Sequence, residues 1–98
     1  MIRHIVFFSA KRREDIERIA EELKGLGQIP HSDFFEVGLN RQVDQFSSEV
    51  DVIVYAEFRD EAALSAYKAH PIYHEMVAKV RPLREMRIAA DFVSKASV

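Results

Sequence analysis

The order of apolar periods along this chain predicts an α+β domain, a four-stranded antiparallel sheet with its helices on one face. Three observations carry the prediction. Residues 2–8, Ile-Arg-His-Ile-Val-Phe-Phe, place large apolar groups on both sides of an alternating strand. Apolar residues at helical spacing follow at once, in Ile16, Ile19, Ala20, Leu23 and Leu26. Two more strand patterns, a helical stretch broken by a proline and a last strand complete the order strand–helix–strand–strand–helix–strand.

The first strand, Ile2 to Phe8, turns Ile2, His4, Val6 and Phe8 one way and Arg3, Ile5, Phe7 and Ser9 the other. One helical layer covers one face of a sheet, so a strand apolar on both faces calls for a second layer. A helix over Arg12 to Lys24 has Glu14 and Asp15 at its positive end and Lys24 at its negative end, as the helix dipole favours. Gly25 or Gly27 can take the left-handed conformation that closes it. The mixed charges of Arg12, Arg13, Glu17, Arg18, Glu21 and Glu22 suit a solvated face. Ile29 to Ser32 is a turn, Asp33 to Leu39 a strand, and the polar, aperiodic Asn40 to Ser48 a loop.

Val50 to Phe58 is the third strand, with Val50, Val52, Val54, Ala56 and Phe58 on an apolar face and Asp51, Ile53, Tyr55 and Glu57 on a mixed one. Asp60 is placed to cap a helix over Glu61 to Ala69. Pro71 starts a further short helix, which Arg81-Pro82 closes. The final strand, Arg84 to Val93, alternates Met86, Ile88, Ala90 and Phe92 against Glu85, Arg87, Ala89 and Asp91, and the tail from Ser94 to Val98 is expected to fray.

This is the ferredoxin-like, split βαβ arrangement over one domain, residues 1–98. The helices leave one sheet face open, and Ile5, Phe7, Ile53 and Tyr55 lie on it. Two such faces packed together would bury them, which predicts an isologous homodimer through the sheet faces. Hydrophobic residues make up 48% of the chain and charged residues 31%, a balance that argues against disorder. A net charge of −2 gives no sign of nucleic acid or an anionic membrane as partner. The absence of cysteine removes thiol chemistry and thiolate metal sites and fits a cytoplasmic protein. The apolar run Ile5 to Phe8 is too short for a signal peptide or a membrane span.

Chemistry is expected at residues 66–77, which hold two of the four histidines and two of the three tyrosines. Pro71 forces His70 out of the helical region, so a helix–corner–helix presents Tyr67, His70 and His74 close together. Each has a bland rival. His70 can simply cap the corner, His74 can be a surface histidine, Tyr67 can be core, and His4 can be a satisfied buried histidine. His70 and His74 are four apart, but no acidic neighbour completes a metal signature. The three glycines form no phosphate loop, so no metal or cofactor is predicted.

The opening Met1-Ile2-Arg3-His4-Ile5-Val6-Phe7-Phe8 resembles that of the stress-responsive A/B barrel (Dabb) domain. So do Ile29-Pro30, Val37-Gly38-Leu39-Asn40, the run Phe58 to Leu64 leading to Tyr67-Lys68-Ala69-His70-Pro71, then Val80-Arg81-Pro82 and Asp91-Phe92. The resemblance implies a dimeric α+β barrel in a functionally loose family. Many members have no assigned activity, some are stress-induced assemblies, and one branch resembles olivetolic acid cyclase, a polyketide cyclase. On that branch His74 would be the general base, Tyr67 the phenol holding the substrate carbonyl, and His4 a pocket partner. The family commonly has one residue between the proline and the second histidine, whereas Ile72 and Tyr73 intervene here. One extra helical residue turns a side chain by about 100°, so either His74 or Tyr73 faces the pocket, with Tyr73 and His70 as substrate contacts.

Three functions fit. One is a binding protein for a hydrophobic small molecule, with a pocket between sheet and helices. Another is a cofactor-independent cyclase, isomerase or lyase acting on a carbonyl compound. The last is a structural, stress-protective oligomer whose pocket residues only pack.

Overall fold

The computed structural model describes residues 1–96. Among them run β1 (Ile2–Ala10), α1 (Ile16–Lys24), β2 (Phe34–Leu39), β3 (Val52–Phe58), α2 (Glu61–Ala69), α3 (Pro71–Val80) and β4 (Arg84–Val93). All neighbouring strands are antiparallel, and the sheet order is β2-β3-β1-β4. This is the ferredoxin-like α+β fold expected from the order of periods. The first strand lies inside the sheet, paired on both edges: His4 sits opposite Ala56 on β3 and opposite Asp91 on β4.

The core lies between one sheet face and the helices. Ile2, His4, Val6 and Phe8 of β1 and Val52, Val54, Ala56 and Phe58 of β3 are all buried there. Against them α1 sets Ile19, Ala20 and Leu23, α2 sets Leu64 and Tyr67, and α3 sets Met76 and Val80. The opposite sheet face has no helical cover. Phe34, Ile88 and Phe92 are each about half exposed on it, beside Ile5, Phe7 and Ile53. Its polar part is an organised triad: Arg3 donates to Tyr55 (2.7 Å) and to Glu57 (3.2 Å), and Tyr55 donates to Glu57 (2.6 Å).

The local chemistry explains the corner. The Asp60 side chain accepts from Ala63 N–H at 2.8 Å and starts α2. His70 ends α2 in extended conformation, and its Nδ1 accepts from Ile72 N–H at 3.1 Å, so it also caps α3. Pro71 follows in the first turn, where a missing N–H costs nothing.

Several boundaries differ from expectation. The first strand runs two residues further, to Ala10. The helix expected from Arg12 opens instead with a 3-10 turn over Arg13–Asp15. It closes through another 3-10 turn, Gly25–Gln28, with Gly25 at φ −60°, not through a left-handed glycine. The two glycines serve close packing. A Cβ on Gly25 would stand 3.1 Å from the Met76 sulfur, and one on Gly27 3.0 Å from the Phe35 ring. Of the tail expected to fray, Ser94 is held, donating its N–H to the Met1 carbonyl at 2.9 Å; Ser97 and Val98 lie outside the described residues.

Ile19 is fully buried at the centre of this core. Ile19→Ala is expected to lower unfolding free energy by about 2–5 kcal/mol, measured as a shift in urea midpoint at unchanged slope. Asp60→Ala, which removes only the cap, should cost about 1 kcal/mol.

Candidate functional site

A cavity of about 340 Å³ opens between the helix-facing side of β1 and β4 and the inner face of α3. That volume suits a small organic ligand. Val6, Phe8, Leu26, Met76, Val77 and Val80 supply much of its wall, and the polar lining comes from His4, Tyr67, Tyr73, Arg81, Arg84 and Arg87.

His4 is the innermost polar group, 1% exposed in a row of apolar neighbours. Such burial is costly unless a partner compensates. Asp91, directly across the β1–β4 ladder, supplies one: its Oδ1 lies 2.5 Å from His4 Nδ1. The carboxylate accepts the Nδ1 proton and so fixes the tautomer that leaves Nε2 as a free acceptor. Among the described residues no protein group hydrogen-bonds Nε2. Burial lowers the His4 pKa below its ordinary value, against an opposing push from the Asp91 hydrogen bond and charge. The ring is therefore held neutral, which is the form a base requires.

Tyr67 projects from α2 onto this centre. Its ring packs edge-on to His4 at 6.2 Å, against Phe58 at 4.9 Å and against Tyr73 at 5.3 Å. Burial, reinforced by the nearby Tyr73, raises its pKa far above the normal phenol value. Tyr67 is thus a neutral hydrogen-bond donor and not a base. Tyr73, in the first turns of α3, faces the same space, and its hydroxyl lies 3.4 Å from Arg87 Nη2.

The structure brings His4, Tyr67 and Tyr73 together and leaves two candidates outside. His74 is exposed and outside the cavity lining, its ring edge-on to Tyr73 at 6.2 Å. The two residues between Pro71 and His74 account for this: α3 starts at Pro71 without absorbing the additional one, so Tyr73 takes the inward position. His70 is also absent from the lining. Its Nδ1 is occupied in capping α3, and its ring meets His31 edge-on at 6.1 Å. This geometry does not support the base role implied for His74 or the ligand contact suggested for His70. Sequence alone did not join Asp91 to His4 and left the three arginines without a role in the site. Their signal was pairwise: antiparallel pairing of the first and last strands puts an acid opposite His4 once the register is fixed.

A ferredoxin-like α+β domain with a ligand-sized cavity between sheet and helices is the class that this fold and site define. The family model described as the stress responsive A/B barrel domain (Dabb) matches residues 2–94, and the chain belongs to that family. Among solved structures it is similar to a Dabb family protein with a ferredoxin-like fold from Mesorhizobium loti, at 25% identity and TM-score 0.81, covering 97% of each chain. It is similar also to a dimeric ferredoxin-like protein of unknown function from Thermobifida fusca, at 25% identity and TM-score 0.80, covering 95% of this chain and 90% of that one. A further such dimeric protein, from Jannaschia sp., has 23% identity and TM-score 0.82, covering 95% of this chain and 98% of that one. Comparison with curated proteins finds no match.

The buried imidazole has a consequence for stability. Its folded-state pKa lies below the unfolded value, so the unfolded chain takes up the proton first as pH falls. The stabilisation is complete above about pH 6.5 and is lost as pH falls through the folded value. Wild type should lose more unfolding free energy than His4→Gln between about pH 7.5 and 5.5. Equal losses in paired urea titrations would refute this.

Proposed function

We propose that this protein binds a small organic molecule in the cavity and moves a proton on it, with His4 as the base. The observation that carries this reading is a neutral, carboxylate-oriented imidazole lining a ligand-sized cavity beside two phenols. His4 Nε2 would take a proton from a carbon next to a carbonyl. The electron pair passes to the carbonyl oxygen as an enolate, and a hydroxyl of Tyr67 or Tyr73 donates to that oxygen as charge develops. Return of the proton to another carbon gives isomerisation; attack of the enolate on a second carbonyl gives cyclisation. Asp91 positions the ring and stabilises the imidazolium formed.

The test is solvent exchange at carbon. In D₂O, proton NMR of a panel of 1,3-dicarbonyl compounds should show protein-accelerated loss of the central C–H signal for a member that fits. His4→Gln should slow that exchange by ~10²–10⁴-fold, while His74→Ala leaves it unchanged. Asp91→Asn should reduce the rate and displace its pH profile. No acceleration by any member, with binding retained, would leave the binding half standing and remove the proton transfer.

The proposal includes a homodimer formed through the open sheet faces. The half-exposed Phe34, Ile88 and Phe92 support it, as do the similar ferredoxin-like proteins from Thermobifida fusca and Jannaschia sp., which are described as dimeric. Sedimentation at micromolar concentration should give a dimer for wild type and a monomer for Ile88→Asp. A folded wild-type monomer would contradict this arrangement.

A further inference from the structure

The cavity mouth carries an unbalanced charge. The chain as a whole has 16 acidic against 14 basic side chains, yet the cavity lining includes Arg81, Arg84 and Arg87 and no Asp or Glu. Among the described residues none of the three arginines forms an ion pair, although Arg3, Arg12 and Arg59 each do. Three guanidiniums on one cavity outweigh the partial charge, about half an elementary unit, at the C-terminal end of α3 beside them.

Their convergence depends on an irregularity in the sheet. Arg84 and Arg87 are three apart, and in a regular strand they would point to opposite faces. Phe8 pairs with Arg87, but Ala10 pairs with Arg84, so β4 spends one more residue than β1 over that interval. The bulge brings Arg84 round to the side of Arg87. Met86 N–H, within the bulge, is tied to Ser9 Oγ at 3.0 Å. Arg87 faces inward enough to touch the Tyr73 hydroxyl.

We infer that the ligand is an amphipathic organic anion. Its terminal oxyanion, a carboxylate or a phosphate, is held by Arg81 and Arg84, with Arg87 adding positive charge between them and His4, and its apolar body runs along β1 toward His4. Val6, Phe8, Met76 and Val80 provide the apolar track between the two ends. Arg87 stands beside the proton-transfer centre, touching the Tyr73 hydroxyl, whereas Arg84 pairs with Ala10, roughly 20 Å along β1 from His4. Arg81 and Arg84 can therefore engage the end of a molecule opposite the one that reaches His4. Guanidinium suits both oxyanions because its N–H fork matches their geometry. The inference rests on the binding half of the proposed function and names the class of compound.

Calorimetric titration of the whole protein with sodium octanoate, octyl phosphate and 1-octanol tests it. One or both anions should bind at least tenfold more tightly than the alcohol, and the tighter anion identifies the oxyanion. The preference should shrink to less than threefold in an Arg84→Gln/Arg87→Gln variant, with octanol affinity retained as the check on folding. It should also weaken as sodium chloride is raised. Octanol binding as tightly as both anions would overturn the inference while leaving a binding cavity. An anion preference that survives in the double variant would overturn it as well. Binding of none of the three would overturn both this inference and the binding reading beneath it.

Discussion

The structure depends on β1 being an interior strand that is apolar on both faces. Hydrogen-bonded to β3 along one edge and β4 along the other, it fixes the sheet order and supplies the floor of the core. Into its buried row the sequence inserts one polar side chain, His4. An imidazole there is tolerated because Asp91 meets it across the ladder, and removing Asp91 leaves the buried imidazole unsatisfied. The tertiary register and the candidate chemistry are therefore one requirement: slip β4 by one residue and the acid turns to the opposite face.

The cavity has its own cause. The helices cover β1 and β3 but leave β4 packed chiefly on its neighbouring strand, and its residues from Arg87 to Val93 are exposed. A sheet one strand wider than its helical cover leaves a trough along that margin, roofed by α3 and floored by β1. Aromatic packing from Phe58 through Tyr67 to Tyr73 holds the inner end in shape, so the two phenols are held by rings packed against one another and not by a flexible loop.

Much of this was legible beforehand. Periodicity gave the strands, the helices and the pairing topology, and the doubly apolar first strand exposed the uncovered face. Asp60 and Pro71 marked their helix starts because capping chemistry is local. The failures were non-local. Gly25 or Gly27 was expected to supply one left-handed residue, whereas Met76 and Phe35 occupy the space where a Cβ would be. His74 and Tyr73 were open alternatives for the inward position, and only the course of α3 from Pro71 turns Tyr73 to the cavity. Asp91 required a register, and Arg84 required a bulge that strict alternation along β4 conceals.

That bulge makes the cavity sensitive to chain length in a way that substitution does not reproduce. Loss of a single residue at Glu85 or Met86 would leave Arg84 two positions from Arg87, so regular alternation would keep both guanidiniums on the cavity side, with Arg84 still opposite Ala10. The other strand residues would keep both identity and register. A descendant with one codon fewer would keep its cationic entrance and lose the local bend and added twist that the bulge gives β4. A one-residue loss at this point would therefore reshape the entrance while sparing its charge.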